Sequence, residues 1–170
     1  MHTVIYAIVP ATTAKEAIDS ARHIFNRLTE NQQPFDYYQM FDTEGSSVSG
    51  KGRWGNIPVA LQCKSPEGKK MIEEAWNGQR EEFLRNIKSL RKAVEKYSDA
   101  DLFAAKFDKS DTDTLETPRM FRYVCHSLGQ YEGPEIALYD GDGCGITDAE
   151  YLDKFLQDKD MWIVPADVHF

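Results

Sequence analysis

The sequence predicts an α+β fold: one mixed sheet of about five strands, with a ferredoxin-like β-α-β-β-α start, a helical insertion and a C-terminal β-α-β extension. Three observations predict it. Runs rich in β-branched and aromatic residues stand near both ends of the chain, TVIYAIV at 3–9 and MWIV at 161–164. Between the strand-like runs lie segments whose apolar residues recur every three or four positions, as on one face of a helix. The chain has 170 residues, enough for one proper core and too few for two, so a single domain over 1–170 is expected.

The elements follow in order. After the strand at 3–9, Thr13 and Glu16 form a T-x-x-E capping box. Behind it Ala17, Ile18, Ala21, Ile24, Phe25 and Leu28 mark an amphipathic helix ending near Glu30. FDYYQMF at 35–41 reads as a second strand and IPVALQC at 57–63 as a third, its proline suiting a strand start or an edge. Between them, residues 43–56 are rich in Gly and Ser and predict a flexible loop or the tip of a long hairpin. Ser65-Pro66 opens a helix by cap and proline, and Ile72, Trp76, Phe83, Ile87, Leu90, Val94 and Tyr97 continue its apolar stripe. Unbroken from 66 to 97 it would span about 48 Å, so Asn77-Gly78 is the natural place for a break; without one the far end overhangs and packs on something else. A short helix over 98–107, an acidic loop over 108–116 and a helix opened by Thr117-Pro118 follow. In that helix Met120, Phe121, Val124, Cys125 and Leu128 share one face, which makes Cys125 a core residue. EIALYD at 135–140 is a strand, DGDGCG a tight turn, and Thr147 with Glu150 caps a last helix through Leu156. Helices are expected mostly on one face of the sheet.

Charge and cysteine usage exclude several functions. A net charge of -8 repels phosphate backbones and anionic lipid, so nucleic acid is an improbable partner. No apolar run is long enough to span a membrane, and the N-terminal residues lack the pattern of a signal peptide. Cys63, Cys125 and Cys144 are odd in number and form no C-x-x-C pair. Reduced thiols in a cytoplasmic compartment are the natural reading. No cofactor is implied.

Several motifs carry candidate chemistry. Gly45 to Lys51 fits G-x-x-x-x-G-K, but Gly52 stands where a phosphate loop needs Ser or Thr, and GRWGN is not expected to open a helix. The same loop places Lys51 and Arg53 beside Trp54, a set suited to contact with an anion, a protein partner or single-stranded nucleic acid. The alternative folds Trp54 back onto the sheet. Asp140-Gly141-Asp142-Gly143 resembles the start of a calcium loop, yet Cys144 and Tyr151 occupy positions 5 and 12, where oxygen ligands belong. Asp140, Asp142 and Asp148 remain candidates for a looser metal site. His126 follows Cys125, and helical neighbours point about 100° apart, so the two make no dyad with each other. His126 could act with a distant carboxylate, while His23 lies off the apolar stripe of its helix. Asp167 and His169 alternate with apolar residues in the last stretch, where they either face water or act as acid and base in a cleft. Asp36, Tyr37 and Tyr38 form another polar and aromatic group, suited to core packing with polar tips or to a binding patch.

The strings YAIVP, FDYY, RWGNIPVA, LGQYEGPEIALYD and WIVPADVHF together resemble a family of uncharacterised small archaeal and archaeal-virus proteins. The resemblance covers most of the chain, implies no activity and transfers no functional residue.

The expected function is therefore a non-enzymatic, protein-binding or regulatory role, exercised as a homodimer through the long helix. A small-molecule or metal-dependent enzyme built from Asp140, Asp142, His126 or His169 is the alternative. Nucleic-acid binding through Lys51, Arg53 and Trp54 is the third reading.

Overall fold

A computed structural model describes residues 1–32, 34–106, 115–158 and 160–170. Its elements run β1 (His2–Pro10), α1 (Ala14–Leu28), β2 (Tyr37–Met40), α2 (Lys51–Trp54), β3 (Leu61–Gln62), α3 (Pro66–Lys96), α4 (Asp99–Ala104), α5 (Pro118–Leu128), β4 (Leu138–Tyr139), α6 (Ala149–Gln157) and β5 (Met161–His169). The fold is α+β, with one mixed sheet and α3 inserted within it in sequence. The chain divides into two compact units, residues 1–78 with 131–170, and residues 79–130.

The sheet of the first unit is organised by β5. Its order is β2-β5-β1-β4, and β3 also pairs with β5. β1 and β5 are antiparallel along their whole length, from His2↔His169 to Pro10↔Met161. β4 joins the other edge of β1 in parallel. Both β2 and β3 pair with β5, so residues 43–56 are not the tip of a β2–β3 hairpin. Strand alternation sorts side chains to two faces. On one face Ile5, Ala7, Val9, Val164, Ala166 and Val168 pack with Ala17, Ala21, Ile24 and Phe25 of α1. On the other, Ile8, Leu138 and Ile163 pack with Ile72 and Ala75 of α3 and Leu152 of α6. Helices thus cover both faces, not mostly one. The reason lies in β1 and β5, where both alternating sets are apolar over 5–9 and 161–164, so each face there needs a partner.

Several boundaries move for local reasons. β5 extends to His169, five residues beyond the expected end at 164. Pro165 is tolerated because it falls between the stretch paired to β3 (Trp162, Ile163) and the stretch paired to β2 (Ala166 to His169), where the outer ladder is interrupted. β3 shrinks to two residues, since Pro58 offers no N–H and the Ile57 amide turns back to the Gly55 carbonyl at 3.0 Å. β4 likewise spans two residues of the expected 135–140. The cap of α6 is Asp148, not Thr147: its carboxylate accepts from the Tyr151 amide at 2.7 Å. The α1 cap forms as expected at Thr13, while Glu16 reaches back to the Thr12 amide and hydroxyl at 2.8 and 2.7 Å. Those bonds hold the Glu16 carboxyl below its usual range. GRWGN does join a helical turn after all, because Gly50 enters α2 at φ 58°, ψ -138°.

The second unit contains residues 79–96 of α3, together with α4 and α5. α3 is continuous for 31 residues, so Asn77-Gly78 does not break the helix. A helical glycine costs about 1 kcal/mol but keeps its backbone hydrogen bonds, and here the glycine marks the border between the two units instead. In this unit the buried positions of α3 are Asn86, Ser89 and Ala93, whereas Phe83, Leu84 and Val94 are exposed. Thr117 caps α5, as its sequence predicts, and Ser98 caps α4. Cys125 is exposed, not core: α5 turns Pro118, Val124 and Ser127 inward, which rotates the buried face away from it. The expected acidic loop falls mainly outside the described residues.

Two predictions follow from the packing. Ile163 is fully buried near the start of β5. Ile163→Ala is expected to lower unfolding stability by about 2–5 kcal/mol in a urea titration, with an unchanged slope. Burial pushes the Cys63 thiol up to about 12, whereas Cys125 and Cys144 are exposed. Native protein at about pH 8 should therefore give two rapid equivalents with a thiol reagent, and the third only on unfolding.

Candidate functional site

Five residues of the first unit, His2, Asp36, Tyr37, Asp167 and His169, meet at one end of the sheet. Asp167 and His169, two apart on β5, share a face. Register places His2 of β1 and Tyr37 of β2 on either side of His169, and Val4 and Gln39 on either side of Asp167. The result is a row of three rings across three strands. Tyr37 stacks on His169 with centroids 5.0 Å apart and planes 7° apart, and His2 meets His169 edge-on at 4.9 Å.

Asp167 anchors this row. It is 1% exposed, and a buried carboxylate needs partners for both oxygens. His2 Nδ1 lies 3.0 Å from Oδ1, and the Gly50 amide donates to Oδ2 at 2.8 Å. Gly50 can do this because it adopts positive φ and because a Cβ there would approach Gln39 Cγ to 2.8 Å. The Ser- and Gly-rich loop therefore has a structural purpose that its composition conceals: it delivers one N–H to a buried charge. With Nδ1–H engaged by Asp167, His2 presents Nε2 as an acceptor, and the Tyr37 hydroxyl stands 3.3 Å from it. His169 Nδ1 makes its own contact with Asp36 Oδ2 at 2.7 Å. Each imidazole is thus oriented by a carboxylate, an arrangement suited to acid–base chemistry.

The remaining candidates lie elsewhere. Asp140 is buried in its turn, where Oδ1 accepts from the Asp142 and Cys144 amides at 3.0 and 2.8 Å. Its Oδ2 accepts from the Tyr151 hydroxyl at 3.0 Å, and that bond raises the Tyr151 pKa. Asp142 is exposed on the same turn, and Asp148 is engaged as the α6 cap. Beside the turn lies an open concavity of about 650 Å³, with Asp140, Asp142, Tyr151 and Lys154 among its lining residues. Tyr139 pairs with Ala7 and His169 with His2, so the turn and His169 are separated by about 17 Å along β1. They do not share a cavity wall. His126 belongs to the second unit, where it is exposed and meets the Gln130 side-chain amide. Lys51, Arg53 and Trp54 form α2; Trp54 is exposed, with the Arg53 guanidinium 5.4 Å from its ring centroid. Among the described residues no group of three or more His, Cys, Asp and Glu is placed to hold a metal ion.

Sequence reasoning singled out Asp167 with His169, and Asp36 with Tyr37 and Tyr38, as two groups and missed their union. It gave His2 and Gly50 no role. The signal was available in the alternation of HTVIY against DVH, once the first and last strands are paired antiparallel.

No curated protein and no solved structure matches this chain. A family model described as a domain of unknown function, DUF7995, matches residues 1–170. The chain therefore belongs to the DUF7995 family.

Proposed function

We propose that this protein acts through protein contact, as a homodimer formed by the exposed face of α3. The observation that carries the reading is the placement of Phe83, Ile87, Leu90, Val94 and Tyr97. Their spacing of four and three is the a/d pattern of a coiled-coil seam. Phe83 is 49% exposed and Val94 57%, and Ile87, Leu90 and Tyr97 are half-buried. Large apolar side chains that repeat along one stripe of a helix and stay in water lose the burial that would stabilise them.

A second copy running antiparallel fits this stripe. That register sets Phe83 against Val94 of the other copy and Ile87 against Leu90, so large and smaller side chains alternate across the seam. Arg91 then flanks Leu84 of the other copy. The small residue Ala93 borders the stripe on its inner side and allows close approach of the two helices.

Sedimentation equilibrium tests the proposal. The native chain should be a dimer at micromolar concentration, and Val94→Asp should weaken association by about tenfold or more. Because Val94 is exposed, the same substitution should change monomer stability by no more than about 0.5 kcal/mol. A native chain that stays monomeric at high concentration contradicts the reading.

A further inference from the structure

We propose that Tyr37 is a nucleophile, activated by His2 and Asp167 to accept an acyl group from an activated ester. The geometry follows the logic of a nucleophile, a base and an orienting group. Tyr37 is 44% exposed, so an electrophile can reach its oxygen. That oxygen lies 3.3 Å from His2 Nε2, and His2 Nδ1 lies 3.0 Å from a carboxylate that is buried. The carboxylate is itself fixed by the Gly50 amide at 2.8 Å, so the imidazole is held in one orientation. The Tyr37 ring is held on its face by the parallel His169 ring, which Asp36 orients in turn.

The step balances without a further reactant. Tyr37 Oη forms a bond to the ester carbonyl carbon as its proton moves to His2 Nε2. The tetrahedral adduct collapses with loss of the alkoxide or phenoxide, which takes the proton from Nε2. Asp167 keeps the Nδ1 hydrogen bond throughout and stabilises the transient imidazolium. The products are O-acylated Tyr37 and an alcohol.

The test uses the full chain and p-nitrophenyl acetate, with acetylated residues mapped by mass spectrometry. Tyr131, at 66% exposure, is an internal reference that is more accessible than Tyr37. Tyr37 should be acetylated about tenfold faster than Tyr131 or more, and the label should be removed by hydroxylamine, as a phenyl ester requires. His2→Gln should lower the Tyr37 rate by about tenfold or more and leave the Tyr131 rate unchanged. Free imidazole should restore part of the rate to His2→Ala. Asp167→Asn should move the pH at which the Tyr37 rate is half-maximal, a shift that loss of packing alone would not produce. Equal rates at Tyr37 and Tyr131 in the native chain overturn the proposal, whatever the variants do. So does a His2→Gln variant that is folded and reacts at Tyr37 as fast as the native chain.

Discussion

The architecture of the first unit depends on one constraint, the burial of the Asp167 carboxylate within the sheet. β5 is almost entirely buried from Met161 to Val168, and a charge in such a strand is tolerated only if it is paired and hydrogen-bonded. Its two partners come from opposite sides. One is an imidazole on the adjacent strand β1, and the other is an amide from a loop more than a hundred residues away in sequence. This single requirement explains why β1 and β5 hold register to their ends. It also explains why a loop of glycines and serines closes over the sheet, and why Gly50 cannot be another residue. The row of rings formed by Tyr37, His169 and His2 is a geometric consequence, since register places all three at one level.

The two units resolve the same problem of polar and apolar placement in opposite ways. In the first, apolar faces are covered and the buried carboxylates of Asp167 and Asp140 are each supplied with hydrogen-bond partners. In the second, α3 turns Asn86, Ser89 and Ala93 inward, leaves Phe83, Leu84 and Val94 exposed and only half-buries Ile87 and Leu90. A helix so oriented gives up stability as a monomer and gains it on association, which is the physical content of the homodimer proposal. The site around His2 lies in the other unit and makes no demand on that seam, so the two readings stand or fall separately.

Much of the fold was legible in the sequence, and the losses have identifiable causes. Thr13, Ser65 and Thr117 announced helix starts because cap chemistry is local. The length of β5 was not legible, because Pro165 normally ends a strand and only the interrupted outer ladder permits it. The continuity of α3 was left open because a glycine lowers helix propensity without preventing the helix. The inward face of that helix was not legible, since periodicity identifies the apolar stripe but does not say which stripe the rest of the chain will cover. The candidate site was half legible. Asp167 and His169 stood out as polar residues within an apolar strand, whereas His2 and Gly50 acquire meaning only through pairing over the whole length of the sequence.

The central claim is that Asp167 holds His2 in one tautomer, with the proton on Nδ1 and Nε2 open toward Tyr37. Long-range ¹H–¹⁵N correlation of histidine-labelled protein at neutral pH measures this directly. The account predicts a single His2 ring pattern with a protonated, hydrogen-bonded Nδ1 and an unprotonated Nε2, lost in Asp167→Asn. A His2 protonated on Nε2, or one averaging freely between both forms, would contradict it.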